Sequence, residues 1–183
     1  MFVRAESGLT YGERVGEVGA RMAEHSNERG ARMSETGCPF CPIVAALSTA
    51  ETFTAPSGGV LRRVALLPTA VAVLGNDQYY PGYTLVIARR HATELYHLPD
   101  GESTAYFEDM LRVARAIDRA FSPRKMNYEL LGNTVAHLHW HLFPRYADDP
   151  NPTRPTWEHA HAPMELAAPE YEKTIQALRR HLG

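Results

Sequence analysis

The segment Ala136-His137-Leu138-His139-Trp140-His141-Leu142-Phe143 sets an imidazole at every second position, with apolar residues between. In an extended strand successive side chains point to opposite faces. His137, His139 and His141 therefore share one face, about 6–7 Å apart, while Leu138, Trp140 and Leu142 share the other. Imidazole nitrogens need partners wherever they are buried, so three on one face are a poor choice for packing. A polar strand side facing solvent would tolerate them, but strict interleaving with apolar residues points to chemistry. Two kinds fit. Imidazoles at i and i+2 can share one metal ion. Alternatively one ring is a nucleophile, since imidazole is neutral and nucleophilic near pH 7 without heavy tuning. A histidine nucleophile suits phosphorus, forming an N–P bond that water then opens. Its neighbours would hold the tautomer and hydrogen-bond the phosphate and leaving group.

Both cysteines lie in one tetrapeptide, Cys38-Pro39-Phe40-Cys41. In a reducing compartment a CxxC reads as metal ligands or a redox pair more than as a structural disulfide. Two thiolates need two further ligands for a closed tetrahedral zinc site. Outside the histidine strand the candidates are His25, His91, His97, His159, His161 and His181. His91 stands out because it ends the apolar run Leu85-Val86-Ile87-Ala88-Arg89-Arg90-His91. One member of the triad could supply the fourth ligand and leave the others for chemistry.

These residues need a scaffold. Val, Leu and Ile cluster in 60–67, 70–75 and 83–88, separated by Pro68, Asn76-Asp77 and Pro81-Gly82, which predicts three strands. Tyr106, Met110, Val113, Ile117 and Phe121 form one stripe on a helix from about Gly101 to Phe121, ended by Ser122-Pro123. Two more strands are expected over 126–132 and 136–144, then a loop over 147–169 with five prolines. A closing helix over 170–182 carries Tyr171, Ile175, Leu178 and Leu182 on one face. Ile43, Val44 and Leu47 suggest a short helix after Cys41. Runs of antiparallel-type strands around one long helix make an α+β fold. Residues 1–37 differ from the rest, being charged and dotted with Gly. Thr10-x-x-Glu13 fits a capping box and Val15, Val18 and Met22 one helical face, so an arm, part helical and part mobile, is expected.

Composition excludes some classes. The 183 residues fit one domain with terminal extensions, and 44% apolar content suffices for a core. A net charge of −2, with 17 Arg and two Lys, argues against a protein organised around a nucleic-acid backbone. No run approaches the roughly 18–20 apolar residues of a membrane span, and the first residues lack the apolar centre of a secretion signal. A soluble cytoplasmic protein is the expectation.

The ordered blocks resemble the histidine triad (HIT) superfamily, in its zinc-bearing bacterial form. His137 to Phe143 is similar to its signature, and Pro81-Gly82-Tyr83-Thr84-Leu85-Val86-Ile87-Ala88-Arg89-Arg90-His91 to its second block, where the commoner form has His at the place of Tyr83. Gly132-Asn133-Thr134-Val135 looks like its phosphate-contacting turn. The resemblance covers about 38–146, which it marks as the catalytic domain, between the arm (1–37) and a proline-rich tail with a helix (147–183). It implies a five-stranded antiparallel sheet with a long helix, a structural zinc, a homodimer and a small-molecule nucleotide substrate. The implied zinc ligands are Cys38, Cys41, His91 and His137. His139 would take the nucleotidyl group, and His141 would contact the phosphate and assist the leaving group. Asn133 and Thr134 would donate to the α-phosphate, Asn76 lies near the ribose-contacting position, and Asn127 could fill a further amide position. Two other readings stand beside this one: a metal-activated hydrolase using all three triad histidines as ligands, and a nucleotide-binding sensor with vestigial activity.

Other features read more simply. His159-Ala160-His161 lies among prolines and is expected to be solvated loop. Trp157 is expected to dock on the core. Arg145 would pair with Asp148 or Asp149, or meet a distal phosphate, and Arg62-Arg63 and Arg89-Arg90 would be exposed strand ends.

Overall fold

The computed structural model describes residues 37–183. The helical spacing expected in the N-terminal arm, and His25, lie outside the described residues. Helix α1 (Phe40–Leu47) follows Cys38 directly. Then come β1 (Thr52–Thr54), β2 (Val60–Leu66), β3 (Ala70–Leu74), β4 (Thr84–Ala88), helix α2 (Glu102–Phe121), β5 (Lys125–Glu129), β6 (His139–Arg145) and helix α3 (Ala168–Arg179). The strands form one antiparallel sheet in the order β1-β2-β3-β4-β6-β5.

Alternation sorts the side chains between two faces. Ala70, Ala72 and Leu74 of β3, Val86 and Ala88 of β4, and Leu138 and Leu142 join Tyr106, Met110, Val113 and Ile117 of α2 in the main core. Tyr171, Ile175 and Leu178 of α3 complete it. Val71, Val73 and Ile87 face the other way, against Ile43, Val44 and Leu47 of α1. The main core also admits one carboxylate: Asp109 is buried but accepts hydrogen bonds of 2.8 Å from both the backbone N–H and the hydroxyl of Thr69. Such pairing offsets the cost of burying the charge.

The sheet differs from expectation in three places. Among the described residues it has six strands, not five. β1 is three residues long, too short to show a period of two in sequence, and pairs at the edge with β2. β5 stops at Glu129, earlier than 132. β6 starts at His139, not at residue 136. There the His137 N–H bonds the Val135 carbonyl (2.8 Å) and the Leu138 N–H bonds the Ala92 carbonyl (2.7 Å). His137's own ring takes the carbonyl of Ala88 at the end of β4 (2.8 Å), so a side chain stands where a ladder bond would be.

The β3–β4 turn aims the second block at the histidines. Gln78 is buried; its amide donates to the carbonyls of Gly75 (2.7 Å) and Tyr83 (3.0 Å) and its oxygen accepts from the Gly82 N–H (2.8 Å). Gly82 has a φ of 89°, and a Cβ there would come within 2.8 Å of the Phe121 ring, so both conformation and space require glycine. At the other end of the sheet β2 carries a bulge between Arg63 and Ala65. The Arg179 guanidinium of α3 donates to the carbonyls of Arg63 and Val64, both at 2.9 Å.

Candidate active site and metal centre

Cys38 and Cys41 flank Phe40 at the N-terminal end of α1. His91 follows β4 and His137 precedes β6. One ligand atom from each of these four residues lies within 4.8 Å of the others, among the described residues the one such group of cysteine, histidine or carboxylate side chains. Cys38 Sγ is 3.4 Å and Cys41 Sγ 3.8 Å from His137 Nδ1. His91 Nδ1 is 3.4 Å from Cys41 Sγ and 3.3 Å from His137 Nδ1. A tetrahedron built on a Zn–S bond of about 2.3 Å and a Zn–N bond of about 2.05 Å has edges of about 3.3–3.8 Å, so the donor set fits such an ion. His137 Nε2 must donate to the Ala88 carbonyl, which leaves the Nδ1 lone pair facing the group. An outer hydrogen bond of this kind is what fixes a metal-binding imidazole.

The face carrying the histidines is the one α1 covers: His139 pairs across the ladder with Ile87, and His141 with Leu85. Phe40, between the two cysteines, meets His137 (ring centroids 5.9 Å apart) and His139 (4.8 Å) edge-on. His139 Nδ1 lies 2.6 Å from the His137 carbonyl. A carbonyl only accepts, so Nδ1 carries the hydrogen and Nε2 keeps its lone pair. His139 and His141 meet edge to face at 4.8 Å. The Tyr83 hydroxyl is 2.6 Å from His141 Nδ1, and its ring lies parallel to Phe143 at 4.2 Å. The triad is thus divided. His137 belongs to the thiolate group, while His139 and His141 are held elsewhere, so the three rings do not converge on one ion.

Burial acts on these rings in one direction. It holds His137 and His139 below the usual imidazole range, with backbone acceptors opposing, and lowers His141 to about 4, helped by the neighbouring His139. All three are neutral at pH 7. Glu129, the ladder partner of His141, is pushed up by burial against the hydrogen bond from Thr156 (2.9 Å).

The other candidates separate. Asn133 and Thr134 are exposed in the loop leading to His137. Asn76 follows β3 at the Tyr83 end of the sheet; its carbonyl accepts from the Tyr171 hydroxyl (2.5 Å), while its buried Oδ1 has no hydrogen-bond partner among the described residues. Asn127 Oδ1 accepts from Arg145 (2.6 Å), leaving only its amide nitrogen. Arg145 is buried and bonded to Asp149, Asn127 and the carbonyls of Asn151 and Arg154, so of its expected partners it is Asp149 that it meets.

Three expectations for the surface are corrected. His159 and His161 are not solvated loop: Tyr79 stacks on His161 at 3.9 Å and its hydroxyl bonds His159 at 3.0 Å. Trp157 is 59% exposed and does not dock on the core. Arg62 and Arg63 are half-buried, one over the Tyr171 ring (4.1 Å), the other bonded to Glu51 and the Leu47 carbonyl. His97 bonds Thr93 and lies apart from the site, as does His181 at the end of the chain. Sequence reasoning missed Phe40, Gln78 and the contact of Tyr83 with His141. Only the position of Phe40 inside the CxxC was a usable signal.

A histidine strand on an antiparallel α+β sheet, beside a Cys2His2 group, defines the class of protein. Residues 62–148 match the model of the HIT domain. The chain is 33% identical over 114 residues to Protein hit of Bacillus subtilis, covering 60% of this chain and 71% of that protein. It is 34% identical over 74 residues to an asymmetrical bis(5'-nucleosyl)-tetraphosphatase of Schizosaccharomyces pombe, covering 38% of this chain and 41% of that protein. Among solved structures, a histidine triad protein from Bradyrhizobium japonicum superposes with a TM-score of 0.62 at 30% identity, over 67% of this chain and 91% of that one. A zinc-bound histidine triad family protein from Mycobacterium smegmatis gives 0.57 at 22% identity, over 81% and 95%, and shares the fold. The chain belongs to the HIT family. Among the described residues no helix is long and apolar enough to cross a membrane.

Proposed function

We propose that this protein hydrolyses or transfers a nucleotide at its α-phosphate through a nucleotidyl-histidine on His139. The observation that carries the reading is the hydrogen bond from His139 Nδ1 to the His137 carbonyl, which keeps the Nε2 lone pair available as nucleophile. That lone pair attacks the α-phosphorus, the bond from phosphorus to the leaving-group oxygen breaks with its electron pair on that oxygen, and His141 supplies a hydrogen bond to it. Water then attacks the same phosphorus. The P–N bond breaks, its electron pair returns to Nε2, and the water's proton leaves with solvent or a basic neighbour. Asn133 and Thr134, at the mouth of the loop before His137, contact the phosphate oxygens. Asn76 and the remaining amide of Asn127 are candidates for the nucleoside.

Zinc on Cys38, Cys41, His91 and His137 supplies a structural crosslink. His137 is fixed by its ring, and its carbonyl is the one that orients His139. Cys38→Ala is expected to lose the metal, read by elemental analysis of the purified protein.

The nucleotide class rests on family membership and on the tetraphosphatase among the relatives. A panel of dinucleoside polyphosphates, nucleoside phosphoramidates and aminoacyl-adenylates, followed by intact-mass analysis, tests the reading. A nucleotidyl adduct on His139 is expected. His139→Asn should lose turnover by about 10³-fold or more with fold and metal retained. Near-normal turnover in that variant would sink the mechanism, and nucleotide binding without turnover or adduct would make the protein a sensor instead.

A further inference from the structure

Among the described residues, Tyr83 is the side chain hydrogen-bonded to the ring of His141. It leaves the β3–β4 turn directly before β4, and its ring is trapped on both sides. Phe143 lies parallel to one face, with ring centroids 4.2 Å apart and planes within 3°. On the other side is Gly75: a Cβ there would sit 2.3 Å from Tyr83 Cδ1 and 2.6 Å from Cε1. Gly75 is buried, and its N–H bonds the Tyr83 carbonyl at 2.9 Å, so backbone and ring are both pinned. The hydroxyl has no freedom to swing away from His141 Nδ1, 2.6 Å off.

Which atom carries the hydrogen follows from partner counting. If Nδ1 held it, the phenol would accept and its own hydrogen would need a second acceptor. Among the described residues no hydrogen bond from this hydroxyl runs anywhere but to His141. Burial, with the nearby carboxylate of Glu129, keeps the phenol protonated far above neutral pH, and His141 is a neutral ring. The O–H therefore donates to the Nδ1 lone pair, and the ring's hydrogen is on Nε2, the nitrogen facing away from Tyr83.

We infer that Tyr83 is a positioning residue that locks His141 as the Nε2–H tautomer, and that Gly75 is glycine because the locking ring lies against it. The inference rests on the proposed reaction for its consequence. An Nε2–H donor can hydrogen-bond a phosphate or leaving-group oxygen, whereas the opposite tautomer would offer that oxygen a lone pair. His139 is held the other way, hydrogen on Nδ1 and lone pair on Nε2, so adjacent rings of one strand present an attacking atom and a donor.

The test reads tautomers directly. Two-bond ¹H–¹⁵N spectra of substrate-free protein labelled at histidine are expected to show His141 protonated at Nε2. Tyr83→Phe keeps both stacking partners and removes only the hydroxyl. It should yield a mixture of His141 tautomers, with kcat lower by about 10-fold or more and KM little changed. Gly75→Ala, which displaces the ring, should move the spectrum the same way. Nδ1 protonation of His141 in the unaltered protein overturns the inference, as does an unchanged spectrum or unchanged kcat in Tyr83→Phe. Because the spectra need no substrate, failure of the proposed reaction would appear separately, as absence of adduct with the tautomer lock intact.

Discussion

At the scale of single residues, the chemistry open to each histidine depends on which of its nitrogens is already occupied. His137 spends Nε2 on the Ala88 carbonyl and His139 spends Nδ1 on the His137 carbonyl, so neighbouring rings of one sequence pattern expose opposite atoms. His141 is set by a side chain, Tyr83, and is faced by His139 and Glu129 as well. Its folded pKa of about 4 lies below the value of about 6.5 in an unfolded chain. The unfolded state then binds more protons between these limits, so the ring's contribution to stability is complete above about pH 6.5 and fades as pH falls toward 4. His141→Gln should flatten that part of the acid unfolding curve, and the His141 ring resonance should titrate near 4. A midpoint near 6.5 would contradict the burial argument.

At the scale of elements, the sheet is tied to α3 by charge as well as by packing. Glu51, just before β1, bonds both Arg63 of β2 and Arg179 of α3, the latter also capping the β2 bulge. The Arg63 and Arg179 guanidiniums hold the Glu51 carboxyl below its ordinary range. A lowered carboxylate stabilises the fold above its unfolded pKa and ceases to do so as pH drops through the folded one. Glu51→Gln should lower the melting temperature at pH 7 slightly, as befits an exposed pair worth about 0.2–1 kcal/mol, and leave it unchanged once acid has protonated the carboxyl in the folded state too. Equal effects at both pH values would assign the loss to something other than charge. The same elements show what could be read from the chain. Periods of two and of 3.6 located β2 to β4, α2 and α3, because apolar stripes announce themselves locally. The four members of the thiolate group were legible too, through CxxC spacing and the resemblance. Burial of the histidine face was not: it depends on α1 folding back over β3 and β4, and no local pattern encodes which face a short helix will cover. The Tyr83–His141 contact is hidden for the same reason, as is the packing of His161 on Tyr79.

At the scale of the whole molecule, the last helix is part of the core. Leu178 is fully buried beside Tyr171 and Ile175, far along the chain from the sheet they cover. Leu178→Ala should cost about 2–5 kcal/mol, as a cavity in a close-packed interior does, measured by denaturant unfolding. A loss below about 1 kcal/mol would show that α3 is only loosely attached. The thiolate group has a consequence for how the chain comes into being. Cys38 and His137 are 99 positions apart, and the residues between them include every strand but β6. A ribosome releases both cysteines long before the histidine that joins them. Half-made chain can offer an ion two thiolates, then His91, but never the closed set. An ion held by all four residues would therefore have to wait for His137, the residue whose carbonyl bonds the ring of His139.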